Sequence, residues 1–564
     1  MARTVGIGHQ DFADLREKNC FYVDKTKFIR EWWESNDSVT LITRPRRFGK
    51  TLTMSMTEQF FSVKYTGRGE LFEGLTIWQE ETYRKLQGTY PVISLSFANV
   101  KEKDYETTRA KICQILSDVY VQCAFLQDSA VMTEKDKSFF DRISPEMGDV
   151  EATISLNHLS DYLCRYYGKK VIILLDEYDT PMQEAYVNGY WEEIVSFTRS
   201  LFNATFKTNP YLERAIMTGI TRISKESVFS DLNNLEIVTT TSSKYGDCFG
   251  FTEEEVFVAM DEYGLQEKEK VKYWYDGFIF GDWKDIYNPW SILNFLDKKR
   301  FTTYWANTSS NNLVGKLIRE GSRAVKVKFE SLLKGGHLFE PIDEQIVYNW
   351  LNGNEKALWS LLVASGYLKV VSYQDYLDVE LDEIPKYELA LTNHEVLLMF
   401  RNMFRDWFEG YGDDSYNDFI KALLLGDVDA MNEYMNRVAA ETFSFFDTGK
   451  RASKKAEPER FYHGFVLGLM VELENRYVIT SNRESGFGRY DIILEPKKTG
   501  LDAYIIEFKV HNPRKNETLE DTIKAALAQI EEKQYEMALR QKGIPAENIR
   551  KYGFAFEGKK VLIG

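Results

Sequence analysis

Cysteine is scarce and scattered: five residues in 564 (Cys20, Cys113, Cys123, Cys164, Cys248), odd in number and never spaced C-x-x-C. That argues against a disulfide framework or a thiolate zinc site and fits a reducing compartment. Histidine is nearly as rare, six isolated residues, so no imidazole metal cluster is expected. No apolar run approaches the ~20 residues of a membrane helix. Met1–Gly8 lacks the apolar core of a signal peptide and the Arg/Ser pattern of a transit peptide. A cytoplasmic chain with no membrane partner is expected. An excess of base is missing too. The 71 Lys+Arg against 86 Asp+Glu leave −15, unlike a passive nucleic-acid coat. Residues 457–564 carry 17 of each sign, so the other 456 hold the whole deficit. The length exceeds one hydrophobic core and suggests several domains.

What is present begins with Val39–Thr53, VTLITRPRRFGKTLT. A short apolar run, a basic turn, Gly49-Lys50-Thr51 and an apolar-periodic stretch from Leu52 to Phe61 follow the order of a phosphate-binding loop. There, backbone N–H groups at a helix start face the anion, a lysine reaches the outer phosphates and a hydroxyl binds magnesium. Arg46, Arg47, Phe48, Gly49, Lys50 and Thr51 are the expected nucleotide contacts. The usual first glycine is here Arg44.

A second motif supports the first. Val171–Pro181, VIILLDEYDTP, has five apolar residues in a row, the pattern of a strand buried on both faces. Asp176-Glu177 sits at its C-terminal end, where open α/β sheets bind ligands. Asp176 would hold the metal with Thr51, and Glu177 would activate water. Together the motifs predict an ATP site with Mg2+.

The segments LITRPRRFGKT, LLDEYD, TGITRISKESVFSDLNNL, YGDCFGFTEEEV, WYDGF and YNPWSILN resemble the bacterial AAA-ATPase-like family. The resemblance implies that Arg44 is a usual replacement and that residues 1–38 lie against the nucleotide site. It also implies that a PD-(D/E)XK nuclease-like domain commonly follows at the C-terminus.

Strands are expected at Pro91–Phe97 and Arg214–Gly219, alternating with helices near Thr107–Phe125, Leu156–Tyr167 and Trp191–Phe206. ATPases of this general class place a polar sensor on a central strand; Thr218 or Thr221 could serve. Arg222 could stabilise transition-state charge, in cis or in trans. Residues from Phe249 to about Leu296 are aromatic-rich and read as core of a helical lid. Between Ser309 and Asp447 the pattern is mostly helical. Lys356–Gly366 followed by Tyr367–Val371 and Tyr387–Leu391 suggests a winged-helix-like element. Its wing carries Asp375, Asp378, Glu380, Asp382 and Glu383, which would repel a phosphate backbone, so a spacer or interaction module is expected.

In the tail, the order helix, three strands, helix, strand matches the core of the PD-(D/E)XK fold. Asp491 begins one strand and Glu507-Phe508-Lys509 lies on its partner. Alternation puts Glu507 and Lys509 on one face with Phe508 opposite. Asp491 and Glu507 would bind magnesium or manganese, and Lys509 would orient the nucleophile or stabilise charge. Gln529 and Tyr535 resemble accessory positions of some members of the superfamily. Glu484 could add a ligand, Arg483 and Arg489 precede the site, and His463 could approach the metal edge.

The expected fold is α/β multidomain. It comprises a P-loop NTPase parallel sheet with helical lid (1–300), a helical, winged-helix-like middle domain and linker (301–456) and a restriction-endonuclease-like α/β domain (457–564). The expected function is ATP hydrolysis joined to metal-dependent cleavage of nucleic acid, DNA favoured over RNA, with nucleotide state gating the nuclease. Arg222 or Arg46 acting in trans would need a homo-oligomer. The rival reading is a nucleotide-dependent switch whose C-terminal domain binds a partner without cutting.

Overall fold

The computed structural model describes residues 3–223, 229, 232–306, 314–315, 317–318, 323–333, 335–343, 355–374, 379, 384–409, 415–442, 466–470, 473, 476–481, 484–485, 488–489, 492–498, 501–511 and 517–564. The chain divides into two compact units, 1–320 with 331–399, and 321–330 with 400–564. The stretch 301–456 is thus shared between them. The fold class is α/β multidomain.

In the first unit, strands β1 (Val39–Thr43), β2 (Val92–Ser96), β3 (Val171–Asp176), β4 (Leu212–Gly219) and β5 (Leu235–Val238) form a parallel sheet in the order β2-β3-β4-β1-β5. Every residue of β1 and β3 is buried, the mark of strands covered on both faces. Each buried Val, Leu or Ile contributes about 1.5–3 kcal/mol. β5 follows a stretch with no clear pattern and was not evident as a strand. The order sets β4 between β1 and β3, pairing Ile42 with Thr218 and Leu175 with Met217. The phosphate loop and the acidic pair therefore flank the end of β4.

Helix Lys50–Phe61 starts two residues before its periodic stretch, because Gly49 takes the left-handed φ of 80° that turns the loop into it. Helix Glu134–Arg142 lies inside a stretch that reads as charged loop; Thr133 and Asp136 cap it reciprocally. The lid combines helices Glu253–Glu262, Lys268–Tyr275 and Pro289–Lys298 with a small antiparallel sheet of β6 (Phe251–Thr252), β7 (Phe278–Phe280) and β8 (Trp283–Tyr287). Its aromatic residues form a core around Tyr275, Tyr287, Phe295 and Tyr304. Beside that core, Asp276 and Asp285 approach one another, and burial, then the neighbouring Asp285 carboxylate, push Asp276 up to about 7. Helix Glu355–Ala364 precedes β10 (Leu368–Tyr373) and β11 (Tyr387–Leu391), which pair with β9 (Leu338–Glu340) in the order β10-β11-β9. The acidic wing residues Asp375, Asp378, Glu380, Asp382 and Glu383 lie outside the described residues.

In the second unit, β12 (Tyr477–Ser481), β15 (Ile492–Pro496), β16 (Ala503–Val510), β17 (Ile549–Glu557) and β18 (Lys560–Ile563) form a sheet in that order, while β13 (Glu484–Ser485) and β14 (Gly488–Arg489) make a separate ribbon. β16 and β17 are parallel, joined by the crossover helix Leu519–Glu532. Helix Val428–Thr442 meets the free edge of β18. Asn432 Nδ2 donates to Ile563 O (2.9 Å) and its Oδ1 accepts from Ile563 N (2.8 Å). Asn436 repeats the pattern on Val561, at 2.6 and 2.9 Å. Among the described residues, no helix is long and apolar enough to cross a membrane.

Candidate functional site

The phosphate loop is held from beneath by the residue that replaces its first glycine. Arg44 is fully buried. Its guanidinium donates to Thr239 O, to Thr43 O (3.2 Å) and to Lys244 O (3.2 Å), and lies 4.5 Å from the Phe280 ring centre. Burial lowers its pKa to about 9, which leaves it charged at neutral pH. A glycine here would leave those carbonyls without this donor. Phe48 is also buried, packed edge-on against Phe278 and Phe280. At the loop tip, exposed Arg47 has a left-handed φ of 65° and stacks over Trp290 at 4.4 Å. The Arg46 carbonyl accepts from Asn288 Nδ2 (3.2 Å) and Trp305 Nε1 (3.0 Å).

Lys50 is buried, and its Nζ donates to Arg44 O (2.9 Å) and Pro45 O (3.0 Å). Burial holds it below the ordinary lysine value, against the opposing pull of Glu177, Asp176 and Asp179. Thr51 Oγ1 donates to Asp176 Oδ2 at 2.7 Å, and Thr218 Oγ1 donates to Asp176 Oδ1. Three elements thereby meet on one carboxylate: the loop helix, the end of β3 and the end of β4. Burial raises the Asp176 pKa, and the Thr218 and Thr51 hydrogen bonds oppose the rise. Glu177 has a left-handed φ of 53°, a costly conformation for a non-glycine residue. Its N–H donates to Thr218 Oγ1 (3.3 Å), and Thr180 Oγ1 donates to its carboxylate at 3.0 Å.

The next two residues reach across to the segment after β4. Asp179 Oδ2 accepts from Ile220 N (3.0 Å), Thr221 N (2.9 Å) and Thr221 Oγ1 (2.8 Å). Tyr178 OH donates to Thr221 O (2.7 Å) and accepts from Ile223 N (3.1 Å). Thr221, a sensor candidate on sequence grounds, thus spends its hydroxyl on Asp179, while Thr218 touches the acidic pair. Arg222 lines a small cleft with Thr43, Thr239, Thr240, Thr241 and Ser360.

In the second unit, Glu507 is buried and Lys509 Nζ lies 3.7 Å from its carboxylate. Gln529 joins them, donating to Glu507 Oε1 and accepting from Lys509 Nζ. Tyr535 OH accepts from Gln529 Nε2 at 3.4 Å. His511, two residues beyond Lys509 on the same face, has Nδ1 3.2 Å from Thr522 Oγ1. Asp491, His463 and Arg483 lie outside the described residues, and only the backbones of Glu484 and Arg489 are described, paired in the β13–β14 ribbon.

Sequence reasoning missed Tyr178, Asp179, Thr180, Asn288 and Trp305. The first three follow Asp176-Glu177 directly, and Asn288 lies in the quoted YNPW segment, so proximity to a motif was the available signal.

Residues 6–229 match the family described as predicted AAA-ATPase, and residues 457–564 match the PD-(D/E)XK nuclease superfamily. A protein of Azotobacter chroococcum mcd 1, named as an uncharacterized protein in the vnfD 5′ region, is 26% identical over 393 residues, 69% of this chain and 67% of that one.

Proposed function

From a chain that carries an AAA-ATPase-like domain at residues 6–229 and a PD-(D/E)XK nuclease superfamily domain at residues 457–564, we propose a protein that hydrolyses ATP in its first unit and cleaves nucleic acid in its second. The observation that carries the reading is the meeting of Thr51, Thr218 and Asp176 beside Lys50.

Thr51 and Asp176 offer a hydroxyl and a carboxylate oxygen 2.7 Å apart, a hard-oxygen pair suited to magnesium. They would hold Mg2+, which when bound supplies charge neutralisation at the outer phosphates. Lys50 exchanges the carbonyls of Arg44 and Pro45 for phosphate oxygens. Glu177 takes a proton from the attacking water, whose oxygen bonds to the γ-phosphorus as the bond to the ADP oxygen breaks. The Thr218 hydrogen bond favours the ionised form of Asp176 against the effect of burial, and Arg46, Arg47, Phe48 and Gly49 shape the loop.

In the second unit Glu507, with Asp491, would hold magnesium or manganese, which when bound polarises the phosphodiester. Buried Glu507 and adjacent Lys509 on one sheet face fit such a group. Lys509 orients the attacking water or steadies the developing charge, and Gln529 holds Lys509 and Glu507 in register. DNA is the favoured substrate, the compartment is the bacterial cytoplasm, and nucleotide state gates cleavage. Within the first unit, Asn288 and Trp305, both outside the phosphate loop, donate to the Arg46 carbonyl and tie the loop to the residues beyond it.

The test is cleavage of single- and double-stranded DNA and RNA with magnesium or manganese, with and without ATP, for wild type, Glu177→Gln and Glu507→Ala. Loss of cleavage in Glu507→Ala with ATP turnover intact supports both halves. ATP turnover without cleavage in any condition moves the second unit to the partner-binding role.

A further inference from the structure

Asp179 sits where an aspartate normally caps its own helix, directly before Thr180–Asn188, yet it makes no capping bond there. Its carboxylate turns instead to the segment after β4. One oxygen, Oδ2, takes both N–H groups and the hydroxyl offered by Ile220 and Thr221, and also Gln183 Nε2 at 2.9 Å. Asp179 is wholly buried, and burying a carboxylate is costly unless its hydrogen bonds are worth keeping. The adjacent Tyr178 clasps the same segment from the other side, with Thr221 O and Ile223 N on its hydroxyl. Its own N–H donates to Thr218 O at 2.9 Å. Residue 222 is therefore gripped at both neighbours by the two residues that immediately follow the acidic pair. Gly219 makes room for the arrangement. A Cβ there would come within 2.7 Å of Tyr178 Cε1 and 2.8 Å of Asp179 Oδ1.

A grip of this kind fixes the backbone of Arg222 relative to Glu177. Arg222 borders a cleft whose walls include Thr43, the residue before the phosphate loop, and Thr239, whose carbonyl is bound by Arg44. All of that lining comes from the first unit itself, so Arg222 stands beside the residue that leads into this chain's own loop. We propose that Tyr178 and Asp179 are positioning residues that index Arg222 to the acidic pair, and that Arg222 serves the outer phosphates of ATP in cis. Arg222 is then the group that touches substrate; Tyr178 and Asp179 act through it. The proposal rests on the ATPase reading above.

The test is a double-mutant cycle in the full-length protein, read as kcat and KM for ATP. Tyr178→Phe keeps the ring and removes the hydroxyl; Asp179→Asn keeps the shape and removes the charge. Each should lower kcat, Tyr178→Phe by roughly 5- to 150-fold, the worth of the two hydrogen bonds its hydroxyl makes, with KM within about threefold. Arg222→Ala should lower kcat at least as much, and Tyr178→Phe combined with Arg222→Ala should be no slower than Arg222→Ala alone. An additive double variant, or unchanged kcat in Tyr178→Phe, would overturn the positioning role. If Asp179→Asn fails to fold, the Tyr178→Phe cycle decides. No ATP turnover in wild type would sink the ATPase reading itself, whereas turnover abolished by Glu177→Gln with an additive cycle would sink the present inference alone.

Discussion

Replacing Thr218 by valine keeps the shape of the side chain and deletes its hydroxyl, which makes two bonds at once. It donates to Asp176 Oδ1 and accepts from Glu177 N. The first is a hydrogen bond to a buried carboxylate, worth about 1.5–3 kcal/mol, and Asp176 is only 5% exposed, so water cannot readily replace it. If that bond is needed in the transition state, kcat/KM for ATP falls roughly 10- to 150-fold. A second consequence follows from charge. Burial already raises the Asp176 pKa and the Thr218 bond opposes it, so losing that bond raises it further. The acid limb of the pH–rate profile should then move to higher pH, because a larger share of Asp176 is protonated at any given acidic pH. The assay is steady-state ATP hydrolysis from pH 5 to 9 for wild type and Thr218→Val, with Thr218→Ser as the variant that restores the hydroxyl. An unshifted acid limb together with an unchanged kcat/KM in Thr218→Val would refute the role assigned to this residue.

Arg44→Gly, which restores the common loop glycine, should destabilise the first unit by about 2–4 kcal/mol, since buried carbonyls lose their donor while relief of a buried charge offsets part of the loss; urea unfolding followed by tryptophan fluorescence measures it. For Asp276 the folded pKa, about 7, stands above the ordinary 3.8. The folded state therefore binds the extra proton, and stability from this group is lost as pH rises between those values. Asp276→Asn should gain thermal stability relative to wild type at pH 8 compared with pH 5, and a difference independent of pH would contradict the assignment.

Much of this architecture is legible in the chain. The wholly buried β3 announces itself as five apolar residues in a row, and both the turn at Gly49 and the carboxylates at the end of β3 sit in short contiguous motifs. What escaped has a common cause. β5 is four residues long and largely half-buried, so it carries neither a long apolar run nor clean alternation. Arg44 is a usual replacement by resemblance alone, but its physical reason is the carbonyls of Thr239 and Lys244, some 200 positions away. Asp179 gives no local sign of its role; only the register of β4 beside β3 brings Ile220 and Thr221 to it. Trp305 lies outside every motif, and its indole N–H finds the Arg46 carbonyl across 259 positions.

The two asparagines on helix Val428–Thr442 have a consequence for where the second unit ends. Each carries a primary amide, chemically a detached peptide group, and at a spacing of four residues the pair imitates two rungs of a neighbouring strand against β18. The outermost strand of the sheet is thereby occupied without a further strand, so it offers no template there for pairing with another molecule. Both asparagines precede residue 457, where the match to the nuclease superfamily begins. A fragment cut at that boundary would keep Glu507 and Lys509 yet bare the β18 edge, and should self-associate. The sheet needs the preceding helix as its side wall.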